Sequence, residues 1–162
     1  MSRSDLLLTP RGMARWSWLV SLVVVFGCSS AEPDEPQCDL AAELHSRAGT
    51  NAKDCGFADR GDDPSRVDDC VISAFESGTP FIARYYRQGI DSQIIAGIAG
   101  DDAGSVTLLL WDSDPSGGAS EPDKIYGDVC LSPSVDTSPS RNATVEPPLK
   151  CSGTSSLGEV CG

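Results

Sequence analysis

The chain has 162 residues with 24 acidic and 12 basic side chains, which gives it a net charge of −12. This acidic excess argues against a protein that binds nucleic acid or an anionic membrane surface, because both need clustered Lys and Arg. The negative charge is compatible with binding of a cation or of a basic partner, or with solubility alone.

The first 27 residues predict an export signal. Arginines at positions 3, 11 and 15 precede an apolar run from Trp16 to Gly27. This run is shorter than the roughly 20 residues that a membrane-spanning helix needs, and a basic stretch before a short apolar one is the pattern of a signal peptide. Met13 is an alternative start, since the segment that follows it is a complete signal by itself.

The end of the apolar run, VFGC at 25–28, resembles the lipobox of bacterial lipoproteins. The resemblance implies that Cys28 becomes the new N-terminus, is lipidated and anchors the protein to a membrane. By the same resemblance, Ser29 favours the outer membrane of a bacterial cell envelope, with the protein facing the periplasm or the cell surface. The alternative is ordinary signal cleavage after Ala31, which would release the chain.

Cleavage before Cys28 leaves 135 of the 162 residues, enough for one domain. It removes three basic residues and one acidic residue, so the mature chain carries a net charge of −14. Residues 28–37 are acidic and rich in proline, and we interpret them as a tether with little to bury.

Two helices are predicted next. The segment 38–49 places small and apolar side chains on one face, and Gly49 can end the helix. Residues 50–62 are polar and predict a loop. A second helix begins with Asp63 as N-cap and ends at Gly78. Its apolar stripe has the spacing of one helix face and comprises Val67, Cys70, Val71, Ala74 and Phe75.

Four strands are predicted after the second helix, and the first three are joined by short glycine-containing hairpin turns. We predict an α+β fold with two layers, in which the helix packs on an antiparallel four-stranded meander stapled by disulfides. The domain is expected over 38–132, and 133–162 as a tail rich in Ser, Pro and Thr that ends in a cysteine pair. The predicted strands are 80–87, 93–99, 105–111 and 124–131.

The segment QIIAG at 93–97 matches the Gln-x-Val-x-Gly pattern of cystatins, with Ile for Val. In cystatins this hairpin enters the cleft of a papain-like protease, so the resemblance implies an inhibitory loop built from Gln93, Ile95 and Gly97. The alternative is a buried strand segment, because a five-residue match is weak.

The acidic loop 112–123, DSDPSGGASEPD, can be counted as a twelve-residue calcium loop. The ligands would be Asp112, Asp114, Ser116 and Asp123. The segment before it predicts a strand instead of a helix, and Asp123 is short for a twelfth ligand. The alternative is a polar turn in which Asp, Pro and Gly shape the backbone.

Six cysteines follow Cys28, and an even number in an exported chain predicts three disulfides. Spacing does not decide the connectivity; we favour 55–70, 151–161 and 38–130 among the 15 possible sets. The third bond would join the first helix to the last strand. The six residues are Cys38, Cys55, Cys70, Cys130, Cys151 and Cys161.

Three segments, CVISAFESGTPF, YRQGIDS and WDSDPSGG, followed by a later cysteine, resemble a group of uncharacterised lipoproteins of the myxobacterial type. Its marks are the Gly-x-Asp-Ser turn and the DSDPSGG loop. The resemblance covers residues 54–130. It implies an anchored, exported domain and no particular activity.

Catalysis has little support in the sequence. His45 is the only histidine, and a nucleophile needs a base within hydrogen-bond reach. We therefore expect a protein that is not an enzyme: a lipid-anchored interaction or structural module without a cofactor, apart from the weak calcium site considered above. We expect the protein to contact the membrane through the lipid on Cys28. No motif in the sequence indicates a particular protein or ligand partner.

Overall fold

The computed structural model describes residues 38–118, 121–136 and 146–162, so the predicted signal, Cys28 and the tether lie outside the described residues. Two helices and six strands are present. In chain order they are α1 (Leu40–Ala48), β1 (Lys53–Ala58), α2 (Ser65–Ser77), β2 (Phe81–Gln88), β3 (Gln93–Gly100), β4 (Val106–Asp112), β5 (Lys124–Val135) and β6 (Leu149–Cys161).

All six strands belong to one sheet, in the order β1-β2-β3-β4-β5-β6. The β1 strand runs parallel to β2, because α2 carries the chain back across the sheet between them, and every other neighbouring pair is antiparallel. The α+β class is confirmed. The prediction of a four-stranded meander is wrong in the number of strands, because the sheet has one additional strand at each edge.

The two additional strands come from segments without a strand-like pattern. The loop predicted at 50–62 contains β1, in which only Cys55 and Ala58 are buried. Residues 149–161, which lie in the predicted tail, form β6 along most of β5. Five of the 13 residues of β6 are serines or glycines, and most of its side chains are exposed, so it lacks the apolar alternation by which a strand is recognised.

The two helices pack on opposite faces of the sheet, which makes three layers where two were predicted. Successive side chains of a strand point to opposite faces, and β2 divides in this way. Phe81 and Tyr85 join Val71 of α2 in one core cluster. Ile82 joins Leu44 of α1 in the other.

The predicted end of α2 at Gly78 is confirmed, whereas the N-cap position belongs to Pro64 instead of Asp63, and Pro64 makes no side-chain capping hydrogen bond. The Asp63 carboxylate accepts hydrogen bonds from the backbone N–H and the hydroxyl of Ser65. These hydrogen bonds lower the pKa of Asp63. At the other end Gly78 adopts a left-handed conformation with φ 67°, and its N–H donates to the carbonyl groups of the last turn.

The three disulfides are Cys55–Cys70, Cys38–Cys161 and Cys130–Cys151. The first pairing is confirmed, and the other two predicted pairings are wrong. The reason is the β5–β6 hairpin, which was not foreseen. It brings Cys151 beside Cys130, and it returns Cys161 next to Ile125, where α1 begins.

We predict that digestion of the unreduced protein yields peptides linked through Cys38–Cys161 and Cys130–Cys151. A fragment linking Cys151 to Cys161 would contradict the arrangement of β6. Replacing Cys38 and Cys161 together by Ser opens a loop of 123 residues and should lower the free energy of unfolding by roughly 5 kcal/mol. Opening the 15-residue loop of Cys55–Cys70 should cost about 3 kcal/mol, and urea denaturation measures both.

Candidate functional site

A row of side chains crosses the face of the sheet on which α1 packs. Tyr86, Ile95, Trp111 and Ile125 are direct neighbours on β2, β3, β4 and β5. Ile125 is fully buried, whereas the other three are only partly covered. We call these three residues, two aromatic side chains with an isoleucine between them, the aromatic row.

The aromatic row stays accessible because α1 covers the next row of the sheet. Leu40 and Leu44 of α1 lie over Gly97 of β3, where a Cβ atom would come within 3.2 Å and 2.9 Å of their methyl groups. A glycine at this position lets the helix approach the strand backbone closely. The helix begins at Leu40, so the sheet beyond its first turn has no helix above it.

A cleft of about 420 Å³ lies between the first turn of α1 and two members of the aromatic row, Ile95 and Trp111. Its size is within the range of small-ligand sites, about 300–1,000 Å³, though it is open to solvent along one side. It is lined by Cys38, Asp39, Leu40, Ala41, Arg84, Ile95, Trp111 and Asp123.

The β2 end of the cleft is basic. The guanidinium of Arg84 lies 3.5 Å from the Asp54 carboxylate and 5.9 Å from the centre of the Phe57 ring. Its Nε is buried and has no hydrogen-bond partner among the described residues. Arg60 and Tyr86 do not line the cleft, but Tyr86, on the same strand as Arg84, has the Arg60 guanidinium 5.9 Å from the centre of its ring. Cation–π contacts of this kind hold arginines over aromatic rings.

The β5 end of the cleft is acidic, and both of its carboxylates have partners. Asp39 is the N-cap of α1 and accepts hydrogen bonds from the backbone N–H groups of Ala41 and Ala42. Asp123 accepts the indole N–H of Trp111 at 2.7 Å, which fixes the orientation of that ring. The cleft therefore has an apolar floor with opposite charges at its two ends.

The proposed calcium ligands are not brought together. Asp123 faces Trp111, whereas Asp112 and Asp114 accept hydrogen bonds from backbone N–H groups of their own loop. The Ser116 hydroxyl lies 3.4 Å from Asp114. No group of three His, Cys, Asp or Glu side chains suited to a metal occurs within 38–118, 121–136 and 146–162. These contacts favour the turn interpretation of the loop.

The cystatin-like segment does not form a hairpin tip. Gln93 begins β3 directly after the turn, and the segment through Gly97 pairs with β2 on one side and with β4 on the other. Ile95 contributes to the floor of the cleft, and Gly97 lies beneath α1. The pairing on both sides favours the alternative of a strand segment over the exposed hairpin tip that an inhibitory loop needs.

No family model, curated protein or solved structure matches this chain. The similarity to myxobacterial lipoproteins therefore stays a prediction. In the described part of the chain, no helix is long and apolar enough to cross a membrane.

The arginines and aromatic rings of this site are not among the residues predicted from the sequence. A signal was present in β2, FIARYYRQ, because a central strand that carries Arg84 among buried residues must expose part of one face. Which face is exposed depends on where α1 packs. To predict that packing, one would need to know where Cys161 lies, because its disulfide with Cys38 holds the start of α1.

We predict that 10 mM calcium leaves the melting temperature unchanged relative to 10 mM magnesium. A calcium loop with a Kd of about 10⁻⁴–10⁻³ M would add roughly 1.4–2.7 kcal/mol to the free energy of unfolding. The control is Asp112→Asn with Asp114→Asn. A calcium-specific increase that disappears in this double variant would show that the loop binds the ion after all.

We also predict that Gly97→Ala is destabilising. The added methyl group would press on Leu44, which is completely buried, and overpacking of this kind costs about 1–3 kcal/mol. Gly153→Ala is the matched control, since a methyl group there meets only Leu131 at 3.8 Å. Equal urea midpoints for the two variants would contradict the close packing of α1 on β3.

Proposed function

We propose that the protein is a lipid-anchored, extracytoplasmic protein of a bacterial cell envelope, with a folded part that binds a partner and does not catalyse a reaction. The observation that carries this proposal is the use of the cysteines. Six of the seven pair with one another, and the one left over is Cys28.

The paired cysteines support the compartment. Disulfides form and persist in oxidising surroundings outside the cytoplasm, and this fold has three. Such a fold needs an export signal, which the basic and apolar first 27 residues supply by their pattern.

The position of Cys28 supports the anchor. It stands at the end of the apolar run, where a lipobox has its acylated cysteine, and no disulfide partner remains for it. Two acyl chains give stable membrane attachment, whereas one chain is marginal. The ten residues of the tether would then separate the lipid from Cys38, where the folded part begins.

The cleft supports a binding role. It combines an apolar floor with charged groups at both ends, which is the usual composition of a recognition site. Its carboxylates are engaged with the α1 backbone and with Trp111. It contains no histidine and no cysteine thiol, since Cys38 is disulfide-bonded. Binding is therefore the role that these groups fit.

The test is metabolic labelling with radioactive palmitate in a bacterium that processes lipoproteins. The wild-type protein should incorporate label and remain with the membrane fraction. Cys28→Ala should lose the label, because the acylated sulfur is gone, while Ser29→Ala should keep it. Label that persists in Cys28→Ala, or a wild-type protein without label, would overturn the lipid anchor.

A further inference from the structure

Trp111 supplies the aromatic surface of the cleft. Its ring is only partly covered, and its N–H donates to Oδ2 of Asp123 at 2.7 Å. A carboxylate that accepts the indole N–H raises the electron density of the ring, and the face of tryptophan is the best aromatic partner for a cation. The apolar side chains of Leu40, Ala41 and Ile95 line the cleft as well. The cleft is therefore suited to a cation that is carried on an apolar stem.

The carboxylates of Asp39 and Asp123 give the cleft an excess of negative charge. Neither carboxylate has an ion-pair partner among the described residues. The guanidinium of Arg84 lies 3.5 Å from the Asp54 carboxylate, so its charge is offset from outside the cleft. The N-terminus of α1 contributes about half a positive charge, which is less than the two carboxylates carry. A cation therefore complements the net charge of the cleft.

The hydrogen bonds of the two carboxylates favour an ammonium over a guanidinium. Asp39 accepts the N–H groups of Ala41 and Ala42 with Oδ1, and Asp123 accepts the Trp111 indole with Oδ2. The second oxygen of each carboxylate accepts no hydrogen bond from the part of the chain that the structure describes. A guanidinium binds best to both oxygens of one carboxylate, whereas the three donors of an ammonium can turn toward oxygens of separate carboxylates.

We propose that the cleft binds a lysine side chain of a basic partner protein, with the ammonium at Asp39 and Asp123 and the methylene stem along Trp111 and Ile95. Lysine stems commonly lie along apolar surfaces while the ammonium stays with polar partners. The open side of the cleft lets the side chain enter while the backbone of the partner stays outside. The net charge of −12 also attracts a basic protein from a distance. This inference rests on the binding role proposed for the cleft and is independent of the lipid anchor.

The experiment follows the indole N–H of Trp111 by NMR while peptides are added. Trp16→Phe with Trp18→Phe leaves Trp111 as the only tryptophan of the full chain, so one indole signal reports on the cleft. The probe is acetyl-Gly-Lys-Gly-amide, which should shift this signal to saturation. A peptide with norleucine in place of lysine keeps the stem without the charge and should bind about tenfold more weakly. A peptide with arginine should also bind more weakly than the lysine peptide.

Asp39→Asn with Asp123→Asn tests the two carboxylates. Asparagine is as good an N-cap as aspartate, and its amide oxygen can still accept the indole N–H, so the hydrogen bonds of the fold are kept. Loss of the two charges should weaken binding of the lysine peptide by roughly 2- to 30-fold. The matched control is Asp69→Asn with Glu76→Gln, which removes the same charge from exposed positions of α2 on the opposite face. It should leave the affinity unchanged.

Equal binding of the lysine and norleucine peptides would overturn the proposal, because the cleft would then bind apolar groups regardless of charge. Tighter binding of the arginine peptide, or equal affinities of the double variant and its control, would overturn it too. Putrescine would bring a second ammonium toward Arg84 and should bind more weakly than the lysine peptide. Tighter binding of putrescine would assign the cleft to a free amine.

Two further outcomes would overturn the lysine site. An indole signal that changes with protein concentration before peptide is added would assign the cleft to a second copy of the chain. A signal that none of the peptides shifts would remove the binding role of the cleft together with the lysine site, whereas palmitate labelling decides the anchor separately.

Discussion

The disulfide between Cys38 and Cys161 determines the arrangement of the α1 face. A helix of nine residues is too short to be stable by itself in water, so α1 depends on its contacts. Its leucines pack over Gly97, and the disulfide fixes its first turn against the last strand. The wall of the cleft is that first turn, so the site exists because the two ends of the described chain are joined.

The central strands are buried on both faces, and this explains a misleading feature of the sequence. A strand with one wet face alternates apolar and polar residues, whereas a strand covered on both faces is apolar throughout. The second half of the β3 segment QIIAGIAG is of the second kind, because α1 and the α2-side core cover its two faces from Ala96 onward. The five residues that match the cystatin pattern lie where this strand passes from its exposed start to its buried half, and both of its edges are paired.

Much of the fold could be predicted where local signals act alone. The helix between Asp63 and Gly78, the two hairpins around β3 and the Cys55–Cys70 bond depend on residues close in the chain. The edge strands β1 and β6 could not be predicted, because they have few buried side chains and pair through backbone hydrogen bonds to strands already present. The cleft depends on β6 and on the face that α1 covers, so its residues could not be grouped from the sequence.

Both edges of the sheet are irregular. At β1 the pairing shifts between Asp54 and Phe57, and Gly56 takes φ 102° with its N–H bound to the Asp54 side chain. At β6 the pairing with β5 shifts twice, around Gly158. Bulges twist an edge and interrupt the row of free backbone groups that another strand would need. A straight edge is a template on which a strand of a second molecule can pair, so the bulges at both edges make edge-to-edge growth of the sheet less favourable.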